Sequence, residues 1–125
     1  MKKLVASLLT AGLLLCSAAA VSAQTETAPK TIIHVVTVTW KQGTTPDQIK
    51  AALDGVQKLP AAYPGITHVW THTLKAQGER KNAIVMEFAS AEAFKAYTDS
   101  AAQKEWYKVY LPIRDRSTTF DITNE

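Results

Sequence analysis

An α+β domain, one antiparallel sheet with helices on a single face, is what this sequence predicts, and three observations predict it. Ile32 to Trp40 is a run of β-branched residues ending in an aromatic, the composition of a central strand. Two helical stripes, each opened by capping residues, alternate with apolar runs of strand length. Alternation puts Ile32, His34, Val36, Val38 and Trp40 on one face of the first strand and Ile33, Val35, Thr37 and Thr39 on the other. Both faces are largely apolar, so both need cover, one from the chain's own helices and the other from a second subunit.

Ahead of that strand, residues 1–23 read as a secretory signal peptide. Lys2 and Lys3 open it, Leu4 to Ala20 is apolar, and Val21-Ser22-Ala23 is a small-x-small cleavage site. Residues 24–30, polar and holding Pro29, form a flexible tether, and residues 31–123 form the domain. The expected destination is periplasmic or secreted, with no membrane association after cleavage. The one cysteine, Cys16, lies inside the leader behind Leu15, where a lipoprotein signal wants a small residue. The exported domain therefore has neither a disulfide nor a thiol nucleophile. Two of the 14 basic residues also belong to the leader, leaving twelve against 11 acids, a net charge of +1. A domain so nearly neutral, with scattered charges, gives no reason to expect nucleic acid as a partner.

The elements follow in order. Thr45-Pro46-Asp47-Gln48 starts a helix, with a capping threonine, a first-turn proline, an acid at the positive end and a glutamine to complete a capping box. Ile49, Ala52, Leu53, Val56 and Leu59 make its apolar stripe, and Pro60 is expected to end it. After a turn at Tyr63-Pro64-Gly65, Ile66 to Leu74 reads as a polar edge strand and Asn82 to Phe88 as a third strand, joined by a charged hairpin. Ser90 caps a short helix carrying Phe94 and Tyr97. Ser100, with Gln103 three residues on, caps another whose stripe is Trp106, Val109, Tyr110 and Ile113. Arg114-Asp115-Arg116 reads as a solvated loop before a last strand from Ser117 to Ile122. The order β, α, β, β, split α, β is the ferredoxin-like plan.

Ile33-His34-Val35-Val36, Tyr63-Pro64-Gly65-Ile66, the segment Glu87 to Glu92 leading to Phe94 and Tyr97, and the closing Phe120-Asp121 together resemble the stress-responsive dimeric α/β-barrel (Dabb) domain family. The likeness runs from Thr31 to Thr123. It implies a homodimer in which two bare sheet faces meet and close a barrel whose lumen can hold a small apolar molecule. The family includes plant stress proteins without clear catalytic activity and a plant polyketide cyclase, and its wider superfamily includes monooxygenases and haem enzymes. Resemblance to the cyclase implies a lumen-facing histidine on the first strand and a tyrosine on the second helix, matched here by His34 and Tyr97. Its catalytic histidine falls at Gln103, and a further histidine falls at Asn82. Glutamine and asparagine cannot exchange a proton near neutral pH, so that proton-transfer scheme does not carry over intact.

Three readings follow. The first is a lumen that binds a small hydrophobic molecule without turnover, walled by Trp40, Ile84, Met86, Phe88 and Trp106, with Asn82 and Gln103 as polar contacts. The second is a cofactor-free cyclase or monooxygenase in which His34 is the base and Tyr97 or Asn82 holds an enolate-like oxygen. The third, by analogy with the superfamily, makes one histidine an axial ligand to haem. No cofactor is expected under the first two. His68 and His72 stand ~13 Å apart on an extended strand, with no carboxylate or cysteine beside them, so no metal site is expected. Gln103 also has a purely structural use as the capping partner of Ser100.

Overall fold

The computed structural model describes residues 27–125, so the expected leader and the first residues of the tether lie outside the described residues. In chain order the elements are β1 (Ile32–Trp40), α1 (Pro46–Ala62), β2 (Ile66–Trp70), β3 (Asn82–Phe88), α2 (Ala91–Tyr97), α3 (Ala101–Tyr110) and β4 (Arg114–Ile122). The strands form one sheet in the order β2-β3-β1-β4, and every neighbouring pair is antiparallel. This is the ferredoxin-like arrangement, with β2 at an edge.

Local chemistry explains most of the boundaries. Both halves of the Thr45/Gln48 capping box form, and Ala52, Val56 and Leu59 are the buried stripe of α1. Pro60 does not end that helix. It lies inside the last turn, where its missing N–H forfeits only one ladder bond, and Tyr63 N–H closes the helix on the Leu59 carbonyl at 2.7 Å. β2 stops at Trp70, short of Leu74. The Thr73 hydroxyl accepts the Ala83 N–H at 2.9 Å, so a side chain replaces the next ladder bond and the chain leaves the sheet. β4 is longer than expected, because Arg114 pairs with Trp40 across a register shift at Thr39/Trp40. Arg114-Asp115-Arg116 is therefore strand and not loop.

Two glycines permit close approaches. A Cβ on Gly55 would lie 2.8 Å from Trp106 Cδ1, so α1 and α3 cross there, and Trp106 Nε1–H donates to the Ala52 carbonyl at 3.0 Å. A Cβ on Gly65 would meet the Tyr63 ring at 2.6 Å, which leaves that ring free to lie over the turn and donate its hydroxyl to the Ala93 carbonyl. The core lies between the sheet and the helices. Val36, Val38, Ile84, Met86 and Phe88 come from the sheet, Val56 and Leu59 from α1, Tyr97 from α2, and Trp106 and Tyr110 from α3. No helix among the described residues is long and apolar enough to cross a membrane.

Candidate functional site

His34 shares its face of β1 with Val36 and Val38, both buried under the helices. The face of β1 that no helix covers is instead that of Ile33, Val35, Thr37 and Thr39. This corrects the expected position of the site. His34 points into the space between the sheet and the helices of its own protomer, away from a lumen enclosed by two bare sheets. The period-two alternation of β1 makes this unavoidable once Val36 and Val38 are core.

A cavity of about 140 Å³ lies there. His34, Val36, Met86, Ser117 and Thr119 supply its sheet side, Phe94, Tyr97, Gln103, Trp106, Tyr107 and Tyr110 its helical side, and Thr98 and Arg114 the remainder. Five of the expected site residues thus meet: His34, Tyr97, Met86, Gln103 and Trp106. The other four, Trp40, Asn82, Ile84 and Phe88, do not line it, Phe88 being fully buried core. Trp40 Nε1–H donates to Asn82 Oδ1 at 2.7 Å, which ties those two side chains to each other, and Ile84 is fully buried core.

Asp121 on β4 lies directly opposite His34 in the β1–β4 register, and its Oδ1 is 2.6 Å from His34 Nδ1. An ionised Asp121 can only accept, so Nδ1 carries a hydrogen, and in the neutral imidazole Nε2 is then the acceptor. Phe94 packs over the imidazole at 5.3 Å between ring centroids, and Phe88 meets it edge-on at 6.2 Å. The ring is therefore fixed in position by a carboxylate at one nitrogen and two aromatic walls.

The tyrosines make the cavity unusual. Tyr97 is 2% exposed and Tyr110 3%, and neither hydroxyl has a hydrogen-bond partner among the described residues. Burial raises the Tyr97 phenol well above its ordinary value and also raises those of Tyr107 and Tyr110, where the Arg114 cation partly offsets it. All three remain neutral donors at physiological pH. Gln103 lines the same cavity, yet its main uses are structural. Its N–H donates to the Ser100 hydroxyl at 3.2 Å, and its Oε1 accepts the Asp99 N–H at 2.8 Å, one residue before the expected capping-box partner. Asp99 adopts φ 63°, a left-handed conformation that this bond helps to hold.

His68 and His72 do not meet. His68 pairs with Glu87 on the uncovered sheet face, with side chains in hydrogen-bond contact. No group of three potential metal ligands occurs among the described residues. Haem does not fit a cavity of this size, which resembles the engineered ~150 Å³ cavity known to take benzene.

A ferredoxin-like domain with a tyrosine-walled cavity between sheet and helices defines the class. The chain belongs to the stress responsive A/B barrel domain (Dabb) family, whose model matches residues 32–124. No functionally curated protein matches it. Among solved structures, a dimeric ferredoxin-like protein of unknown function from Thermobifida fusca is 23% identical, with a TM-score of 0.65 over 74% of this chain and 90% of that one. A Dabb family protein from Mesorhizobium loti is 22% identical, with a TM-score of 0.64 over 76% of this chain and 97% of that one. The hydroxynitrile lyase of Passiflora edulis is 16% identical, with a TM-score of 0.69 over 78% of this chain and 95% of that one. At these identities the likeness is one of fold.

Proposed function

We propose that the protein is an exported homodimer that holds one small, largely apolar molecule in a cavity inside each protomer. The observation that carries this reading is the 140 Å³ space walled by aromatic rings, with His34 and two partnerless tyrosines around it. A close-packed interior rarely keeps such room, and buried hydroxyls without partners are costly unless something bonds them. Export rests on the leader read at residues 1–23. Dimerisation rests on the uncovered sheet face, where Phe120 and Ile122 of β4 and Trp70 of β2 are each more than half exposed. The Thermobifida fusca protein of the same fold is dimeric, which supports the same assembly here.

A second reading, proton-transfer catalysis, is favoured by one observation, the His34–Asp121 pair. Gln103 cannot transfer a proton, but Asp121 on β4 holds the imidazole through Nδ1 and fixes its tautomer. His34 Nε2 would then take a proton from a bound carbon or oxygen acid while a neutral tyrosine hydroxyl donates to the oxygen that gains charge. The hydroxynitrile lyase of Passiflora edulis places an enzyme on this fold, without assigning its chemistry to this chain.

Native mass spectrometry of the protein purified from its own host tests both. The expected result is a dimer with extra mass that is released on denaturation. A monomer would refute the assembly, and a protein that carries nothing and binds nothing from a panel of one-ring compounds would refute the cavity reading. If the released compound is converted by the wild type and equally by His34→Asn, the catalytic reading falls while the binding reading stands.

A further inference from the structure

Arg114 brings a cation to the cavity wall apart from His34 and Tyr97. It stands at the start of β4, lines the cavity, and lies over the Tyr110 ring with its guanidinium carbon 5.7 Å from the centroid. Its neighbour Arg116 pairs with Glu79 and Asp115, but no carboxylate among the described residues pairs with Arg114. The Tyr110 hydroxyl lies beside both the Ser117 side chain and the Arg114 guanidinium, yet it satisfies hydrogen-bond geometry with neither. One wall of the cavity therefore gathers a guanidinium and two hydroxyls, all able to donate, with no carboxylate among the described residues paired to the guanidinium. Buried or half-buried donors in such a cluster call for an anion of matching geometry, and guanidinium matches carboxylate. The space itself has room for about one aromatic ring, and Phe94, Trp106 and Tyr107 supply flat apolar walls for it.

We propose that the cavity takes a small one-ring carboxylate, its ring against Phe94, Trp106 and Tyr107 and its carboxylate on Arg114 with the hydroxyls of Tyr110 and Ser117. This rests on the reading of the cavity as a ligand site and names the class of compound it selects. His34 lies elsewhere on the same cavity wall and faces the remainder of the ligand.

The test is a titration of the purified protein with benzoate, benzamide and toluene, followed through the indole N–H resonance of Trp106, whose ring lines the cavity. Benzoate is expected to bind about ten- to a hundredfold more tightly than benzamide, the range for one charge-assisted recognition group. Arg114→Gln should remove that preference, Arg114→Lys should keep part of it, and Arg116→Gln should leave it unchanged. Equal binding of all three compounds would overturn the carboxylate proposal and leave the cavity reading intact. Binding of none would overturn both. A benzoate preference that survives in Arg114→Gln would also overturn the proposal, since the charge recognised would lie elsewhere. The comparison of benzoate with benzamide needs no variant, so it decides the matter even if Arg114→Gln fails to fold.

Discussion

On the helix-covered face of the sheet, Val38, Ile84, Met86 and Phe88 are at most 1% exposed, whereas on the opposite face Phe120, Ile122 and Trp70 stand at 55%, 54% and 51%. The two faces are built from alternate residues of the same strands, and both carry large apolar side chains. What separates them is the third dimension. The stripes of α1 and α3 reach only one face, and there they leave a cavity around His34. The other face keeps its apolar groups in water until another surface arrives. Apolar periodicity thus tells which residues share a face, while only the packing tells which face is finished.

The largest effect should come from the finished face. Phe88 is fully buried and touches His34, Phe94 and Tyr97 through their rings. Phe88→Ala removes that packing and leaves a void, which should cost about 3–5 kcal/mol in urea denaturation. Trp70→Ala, a larger deletion on the open face, should cost a folded monomer far less. If the two variants lose the same stability at a protein concentration low enough to keep the chain monomeric, the distinction between the faces is broken.

Much of this division was legible in the sequence, and the limits are instructive. β1 and β3 begin and end where composition and alternation put them, and the caps at Thr45, Ser90 and Ser100 all form. Thr73 and Arg114 moved the ends of β2 and β4, because each boundary depends on a partner strand and not on local preference. The site shows the same pattern. His34, Tyr97, Met86, Gln103 and Trp106 lie on elements whose periodicity was readable, so their convergence followed from the fold. Asp121 did not, because its pairing with His34 spans 87 positions and depends on the β1–β4 register. The period-two column Asp121, Thr119 and Ser117 was visible, but nothing local said that it faces His34. Trp40 enters as an aromatic wall and Asn82 through the resemblance to the cyclase, yet the two side chains bond each other and line no part of the cavity.

A second effect should come from the open face. Phe120 sits in β4 directly opposite Val35 of β1, on the exposed apolar face of the sheet. Phe120→Asp places a charge where a second copy would press against it, and the dissociation constant of the dimer should rise about a hundredfold by sedimentation velocity. The cavity lies on the other side of the sheet, so the variant should keep its far-ultraviolet spectrum and its ligand. An unchanged dimer would show that some other surface makes the assembly.

The smallest effect sharpens the comparison by probing the polar rim of the open face. Glu87 pairs with His68 there, and its carboxyl also accepts the Thr31 hydroxyl at 2.8 Å. The Thr31 hydrogen bond, against partial desolvation and with help from His68 and Thr67, holds the Glu87 carboxyl below its ordinary value of 4.5. A carboxyl lowered on folding contributes its stability in full above the unfolded value and loses it as pH falls through the folded value. Thr31→Val should therefore be less stable than the wild type at pH 7, by about 0.5 kcal/mol or less. The gap should narrow below pH 4.5 and close as pH falls through the lowered folded value, beneath which both proteins carry a protonated Glu87. Urea denaturation at pH 7 and at pH 3 measures it. A gap of the same size at both pH values would mean that Thr31 acts through packing, and that the open face has no polar group set in place ahead of its partner.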